Sequence, residues 1–131
     1  MSDSPPPQLG LRHIALKVKD LKRSEAFYTR LGFKVEWRPD QKNLYLSSGS
    51  DNLALHEVGP GRAESETTLD HFGIIVKLPE HVDQWAQYLQ SQNLQLVQEP
   101  KTHRDGARSI YFKDPDGILI QILYHPPISN T

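Results

Sequence analysis

The sequence contains an internal repeat, and this repeat constrains the fold more than any other feature. Residues 11–18 (LRHIALKV) align with residues 69–76 (LDHFGIIV): the Leu, His and Val are identical, and a small residue follows each His by two places. Both segments have the β-branched and apolar content of short strands. Each is followed by a helical pattern and then by three candidate strands. The chain is therefore predicted to consist of two tandem βαβββ modules.

The predicted modules span residues 9–58 and 69–124, with a linker over residues 59–68, a flexible tail over residues 1–8 and a C-terminal tail over residues 125–131. The first helix follows the capping residue Asp20 and ends at Gly32, and the second begins at Pro79 and runs out near Asn93. The remaining strands are predicted over residues 33–37, 43–47, 53–58, 95–98, 109–113 and 118–124. Neither half has enough apolar surface to be stable alone, so we expect one α+β domain built from both.

Composition excludes several classes of function. Lys and Arg total 15 against 16 Asp and Glu, a balance that argues against a nucleic-acid partner. The chain has no cysteine, which excludes disulfides, thiolate metal sites and cysteine nucleophiles. Residues 1–8 lack the features of a signal peptide, and no apolar stretch approaches the roughly 20 residues of a membrane span. We expect a cytoplasmic protein with no membrane partner.

Strand alternation brings four polar side chains to one face of the predicted sheet. In the repeated strands, His13 and His71 lie opposite the apolar residues that face the helices. Aligning residues 51–56 with residues 116–121 places His56 at the position of Gln121. The predicted metal ligands are therefore His13, His56, His71 and Gln121.

Imidazole nitrogen and amide oxygen suit a divalent ion such as Zn, Ni, Mn, Co or Fe. The set lacks a carboxylate, so an anionic, oxygen-rich small molecule is favoured as an additional ligand. Two alternatives remain: the histidines are structural, or Gln121 only lines a polar pocket. A shift of strand four by one residue would bring Glu57 inward in place of His56, and Glu57 would then be a candidate catalytic base. The other histidines, His81, His103 and His125, are interpreted as surface residues.

Four segments together resemble the vicinal oxygen chelate superfamily, which includes glyoxalases, bleomycin-resistance proteins and dioxygenases. They are HIALKVKDL at residues 13–21, FYTRLGF at residues 27–33, LDHFGI at residues 69–74 and YFKDPDGILIQ at residues 111–121. The resemblance covers about residues 9 to 124. It implies an open, cup-shaped mixed sheet with metal ligands on its inner face, at positions that match His13, His56, His71 and Gln121. It also implies a homodimer, in which both subunits often contribute to each site.

The resemblance implies three functions. The first is a divalent-metal enzyme of the lyase, isomerase or oxidoreductase type, whose metal chelates vicinal oxygens of a small substrate. The second is a metal-free, drug-binding protein of the bleomycin-resistance type. The third is a thiol transferase that acts on an epoxide antibiotic. The family usually has Glu where this chain has Gln121, and this departure counts against the third function and against dioxygenase chemistry.

Overall fold

The computed structural model describes residues 4–58, 68–115 and 117–130, so most of the predicted linker lies outside the described residues. The first half contains β1 (Gly10–Val18), α1 (Leu21–Arg30), β2 (Lys34–Trp37), β3 (Asn43–Ser47) and β4 (Asn52–Glu57). The second half contains β5 (Leu69–Val76), α2 (Pro79–Ser91), β6 (Leu96–Thr102), β7 (Arg108–Lys113), β8 (Leu119–Tyr124) and α3 (Pro126–Ser129). The predicted α+β fold of two βαβββ modules is confirmed.

The two halves have the same strand topology. The order is β2-β3-β4-β1 in the first half and β5-β8-β7-β6 in the second. In each half the first and last strands pair in parallel, and the other neighbours are antiparallel. The parallel pairing follows from the helix that returns the chain across the sheet. The two repeats of the sequence thus fold with the same strand topology.

Two compact units divide the chain, and their limits fall inside strands β1 and β5. One unit consists of residues 13–71, and the other combines the chain up to Arg12 with residues from Phe72 onward. We call these the first unit and the second unit. His13 and His71 are thus the two terminal residues of the first unit.

Each unit has its own hydrophobic core. In the first unit, α1 covers a cluster of buried leucines, of which Leu44 and Leu55 are completely inaccessible to solvent. In the second unit, α2 packs Trp85 and Leu89 against strand residues that include Ile122. Asp20 caps α1 by accepting a hydrogen bond from the backbone N–H of Arg23, as the sequence predicts. None of the helices among the described residues has the length and apolar character needed to cross a membrane.

Some described residues near the two ends of the chain form contacts that the sequence does not predict. Residues 126–129 form α3, whose Ile128 is buried beside Ile75 and Leu123. Pro126 occupies the first helical turn, where the missing N–H costs nothing. At the other end, the indole Nε1 of Trp85 donates to the carbonyl of Pro7 at 3.2 Å. The burial of Ile128 and the hydrogen bond of the Trp85 indole account for these contacts.

Candidate functional site

His13 and His71 form a buried pair in the first unit. Their Nε2 atoms are 2.9 Å apart, and their ring centroids are separated by 5.0 Å. Only 4% of His13 and 5% of His71 is exposed. Strand alternation turns both rings away from the helix, and a hydrogen bond from the N–H of Lys17 to the carbonyl of Thr68 aligns the start of β5 with the end of β1. The predicted proximity of these paired histidines is observed within one chain.

The Nδ1 atom of each paired histidine lies against an oxygen acceptor. His71 Nδ1 is 2.6 Å from the carboxylate Oδ2 of Asp70, and His13 Nδ1 is 2.7 Å from the amide Oδ1 of Asn52. The Asn52 amide nitrogen in turn donates to both carboxylate oxygens of Glu36 at 3.2 Å. A carboxylate only accepts hydrogen bonds, so the Glu36 contact fixes which end of the Asn52 amide faces His13. Both imidazoles therefore carry their proton on Nδ1.

This tautomer directs two lone pairs at each other. A neutral imidazole protonated on Nδ1 has an unprotonated Nε2, which accepts hydrogen bonds or binds metals. Two such nitrogens at 2.9 Å repel each other unless a proton or a metal cation lies between them. Nitrogens that bind one ion at about 2.1 Å, with a right angle between them, are also roughly 3 Å apart. The donor chemistry of the pair therefore fits a divalent cation.

The two histidines do not complete a metal site by themselves. Across residues 4–58, 68–115 and 117–130, no group of three or more His, Cys, Asp or Glu side chains is placed to hold a metal ion. Within the described part of the chain, amide oxygens are the candidate further ligands, together with oxygens of a bound small molecule.

His56 lies on the face of His13 but at a different level of the sheet. It is opposite Lys17 in the β1–β4 ladder, four residues and therefore about 13 Å along the strand from His13. Its Nδ1 is 2.6 Å from the Oδ1 of Asn43, whose amide nitrogen donates to the Asp40 carboxylate. Burial lowers the pKa of His56, an effect that the nearby Asp70 charge opposes. Burial therefore favours the neutral form of His56, in which Nδ1–H donates to Asn43 and Nε2 is the acceptor atom.

The predicted equivalence of His56 and Gln121 is wrong by two residues. In the first half Ala15 pairs with Ala54, and in the second half Gly73 pairs with Gln121. Gln121 therefore occupies the repeat position of Ala54. The alignment was based on the turns that precede β4 and β8. It is wrong because β8 pairs with β5 two residues further from its turn than β4 pairs with β1.

Gln121 belongs to the second unit, where it lies on the central strand β8. Only 5% of the residue is exposed, and its amide Oε1 is buried without a hydrogen-bond partner. A buried acceptor without a partner costs roughly 1–3 kcal/mol of stability. This amide oxygen is therefore available as a hydrogen-bond acceptor or ligand atom.

Glu57 is a candidate catalytic base only if strand four is shifted by one residue, and the strand is not shifted. The observed register keeps His56 on the face of His13, so Glu57 points to the helix side. There its carboxylate accepts a hydrogen bond from the backbone N–H of Leu21 at 3.0 Å and lies 3.7 Å from Lys42 Nζ. Glu57 thus stabilises the N-terminus of α1, where a negative charge is favourable.

Two aromatic residues of the first unit, Trp37 and Tyr45, lie beside His56. The rings of Trp37 and Tyr45 are stacked with centroids 5.3 Å apart, and Tyr45 presents an edge toward His56. Tyr111 lies in the second unit, where it pairs with Gln121 across β7 and β8. An aromatic wall therefore adjoins His56.

The remaining histidines are less exposed than predicted. His125 is 6% exposed at the start of α3, and His103 is half-buried with its Nε2 2.8 Å from the hydroxyl of Ser109. Burial lowers the pKa of His103. His81 is half-buried on α2, with its Nδ1 atom buried and unpartnered. These residues lie in the second unit and form hydrogen bonds or packing contacts there.

Sequence reasoning missed the residues that hold the paired histidines. Asn52 shares the face of His56 by alternation, and Asp70 directly precedes His71, so both left a signal in the sequence. Glu36 left none, because β2 is short and only its pairing with β3 brings Glu36 near Asn52.

Comparisons with known proteins agree on the fold and the family. The sequence model of the Glyoxalase/Bleomycin resistance protein/Dioxygenase superfamily matches residues 10–122. The metallothiol transferase FosB of Bacillus licheniformis is 29% identical over 83% of this chain and 71% of its own length. The fosfomycin resistance protein FosX of Listeria innocua is 26% identical, covering 86% of this chain and 87% of its own length.

Solved structures show the same fold. Homoprotocatechuate 2,3-dioxygenase of Arthrobacter globiformis superposes with a TM-score of 0.73 at 25% identity, covering 95% of this chain and 38% of that chain. This chain thus spans about two fifths of the dioxygenase chains it matches. Methylmalonyl-CoA epimerase of Mycobacterium tuberculosis superposes with a TM-score of 0.71 over 98% of this chain and 96% of its own, and its 19% identity supports the fold alone.

Proposed function

Because the chain belongs to the Glyoxalase/Bleomycin resistance protein/Dioxygenase superfamily, we propose that it is a divalent-metal-dependent enzyme acting on a small substrate with neighbouring oxygens. The observation that carries this proposal is the 2.9 Å separation of the Nε2 atoms of His13 and His71, each on a ring whose Nδ1 lies against an oxygen acceptor. The resemblance makes Gln121 the candidate for a further ligand, and its buried Oε1 without a partner supports that role. The homodimeric assembly that the resemblance implies is part of the same proposal.

The proposed division of labour follows from the contacts of each side chain. A bound divalent ion would act as a Lewis acid toward two substrate oxygens. His13 and His71 would hold the ion through Nε2, because Nδ1 of each lies against an oxygen acceptor. For a substrate long enough to extend from the ion to His56, the proposed proton acceptor is Nε2 of His56, because its Nδ1–H is donated to Asn43. This assignment gives the site a base although Gln121 replaces the carboxylate that the resemblance implies.

Metal binding by the untagged full-length protein tests the proposal. After removal of bound metals, Co²⁺ titration followed by absorption is expected to show one site per chain. Replacing His13 or His71 by Gln should weaken Co²⁺ binding by more than about 100-fold, because loss of one of two nitrogen ligands exceeds the effect of losing a partner of a metal-bound histidine. The matched control is His81→Gln, which removes a histidine of α2 and should leave the affinity within threefold.

Two outcomes would overturn the proposal. One is a protein that takes up none of Zn, Ni, Mn, Co or Fe and gains no thermal stability from them, since a bound ion must stabilise the folded state. The other is a double variant, His13→Ala with His71→Ala, that retains the affinity of the wild type for a small-molecule ligand. The second result would instead favour the metal-free binding protein.

A second candidate is transfer of a thiol to a small antibiotic, and the likeness to FosB favours it. The assay incubates the Mn²⁺-loaded protein with fosfomycin and cysteine and follows the loss of free thiol. Thiol loss that depends on both fosfomycin and Mn²⁺ would support this candidate. No loss in the wild type together with loss in Gln121→Glu would attribute the difference to the missing carboxylate. No loss in either protein would exclude thiol transfer from cysteine.

A further inference from the structure

Glu36 and Asn52 form a hydrogen-bonded chain that ends on His13. Asn52 is directly opposite His13 in the β1–β4 ladder, and Glu36 reaches Asn52 from β2. Only 3% of Asn52 is exposed, and Glu36 is half-buried. The Glu36 carboxylate accepts from the Asn52 amide nitrogen through both of its oxygens, and hydrogen bonds to a charged acceptor are the stronger class.

These hydrogen bonds determine which ring nitrogen of His13 carries the proton. A neutral imidazole carries its proton on Nδ1 or on Nε2, and the surrounding hydrogen bonds decide between the two. If the Asn52 amide turned over, its nitrogen would face His13 Nδ1 as a donor and favour a proton on Nε2. The Glu36 carboxylate opposes that rotation, because it would then face the Asn52 carbonyl oxygen.

We infer that Glu36 and Asn52 are positioning residues that hold His13 with its proton on Nδ1, so that its Nε2 lone pair faces His71. His71 needs no intermediary, because the adjacent Asp70 accepts its Nδ1 proton directly. The effect on metal binding rests on the proposed function, whereas the tautomer of His13 does not. Glu36 and Asn52 touch no proposed ligand atom and act through the opposite side of the ring.

The molecule contains a matched arrangement that serves as a control. His56 Nδ1 is held by Asn43, and the Asn43 amide nitrogen is 2.9 and 3.1 Å from the two carboxylate oxygens of Asp40. This second Asp–Asn–His chain lies in the same unit but ends on a histidine outside the pair. Substitution of Asn43 therefore measures the effect of breaking an Asp–Asn–His series of hydrogen bonds that does not contact His13.

The repeat also supplies a substitution that the fold accommodates. By the register of the two parallel pairs, the position of Asn52 corresponds to Leu119 in the second half. A leucine therefore fits the parallel ladder at this point. Asn52→Leu removes the acceptor of His13 while retaining a side chain of similar size.

The experiment combines ¹⁵N NMR of the histidine rings in the metal-free protein with Co²⁺ titration of the same samples. The wild type is expected to show His13 protonated on Nδ1 with an unprotonated Nε2. Asn52→Leu and Glu36→Gln should reduce the Nδ1–H population and weaken Co²⁺ binding by about 10- to 100-fold, the usual effect of removing a partner of a metal-bound histidine. Asn43→Leu should leave both readouts of His13 unchanged.

A charge exchange provides the rescue. In the double variant Glu36→Gln with Asn52→Asp, the new amide can donate to the new carboxylate, which accepts from His13 Nδ1–H. This variant should restore the Nδ1–H tautomer and bring Co²⁺ affinity back within threefold of the wild type. If the single variants acted only by disturbing the fold, the double variant would not restore the tautomer or the Co²⁺ affinity.

The inference fails if Asn52→Leu and Glu36→Gln leave the His13 tautomer as in the wild type, or if Asn43→Leu alters it equally. Should Asn52→Leu not fold, Glu36→Gln and the charge exchange carry the test, because they retain the size of the side chains. A wild type that binds no Co²⁺ would refute the proposed function, and the NMR readout would still decide the role of Glu36 and Asn52.

Discussion

The two halves of the molecule share a topology but differ in what their equivalent strands carry. Strand β4 presents Asn52, Ala54 and His56 on the face away from the helix, whereas β8 presents Leu119, Gln121 and Leu123 at the equivalent positions. On the helix side Leu53 and Leu55 of β4 and Ile120 and Ile122 of β8 are apolar. The repeat has therefore preserved the positions that build the core, while the polar chains that hold His13 and His56 exist in the first half alone among the described residues.

The largest expected effect is a loss of unfolding free energy at core positions that the two halves share. Leu55 and Ile122 are equivalent in the two registers, and both are fully buried in their own cores. Truncation of either to Ala should cost about 3 kcal/mol of unfolding free energy, because it removes buried methyl groups and leaves a cavity. Urea unfolding measures both costs. A difference of more than about 2 kcal/mol between them would show that the two cores are not equivalent.

A smaller effect, of opposite sign, is expected where the halves differ. Gln121→Leu removes a buried amide oxygen without a partner and should stabilise the metal-free protein by about 1–2 kcal/mol. If Gln121 is a ligand, the same substitution should weaken Co²⁺ binding. The control Gln121→Glu should destabilise the metal-free protein, since it buries an unpaired charge. Destabilisation by Gln121→Leu would show that the amide oxygen has a partner in solution.

The smallest effect compares one histidine from each unit. Burial lowers the pKa of His56 and of His103 below the ordinary histidine value of about 6.5. The unfolded chain therefore binds more protons than the folded one between 6.5 and each folded pKa, and the stabilising contribution present above pH 6.5 is lost as pH falls through that window. Urea unfolding from pH 7.5 to 5 should show a smaller acid loss for His56→Gln and for His103→Gln than for the wild type. An unchanged acid loss in either variant would contradict this assignment.

The sequence predicted the fold well because its strongest signal is repeated. The pairs of Leu, His and Val in residues 11–18 and 69–76 mark equivalent strands, and alternation correctly placed His13, His56 and His71 opposite the apolar residues. Turn residues do not define how far a strand is offset from its partner, so the equivalence of His56 and Gln121 could not be obtained from them. The role of Glu36 depends on pairing between strands distant in sequence, which no local pattern encodes.

The limits of the compact units have a consequence for anyone who divides this chain. The repeat suggests a cut near residue 59, yet the first unit takes Leu69–His71 from the second repeat, and the second unit takes the residues before His13 from the first. A fragment that stops at residue 58 would retain Glu36 and Asn52 but lack His71 and its Asp70 acceptor. Neither repeat, expressed by itself, would contain a complete copy of either compact unit. Complementation of two separately produced fragments is therefore a more suitable strategy than isolation of one autonomous half.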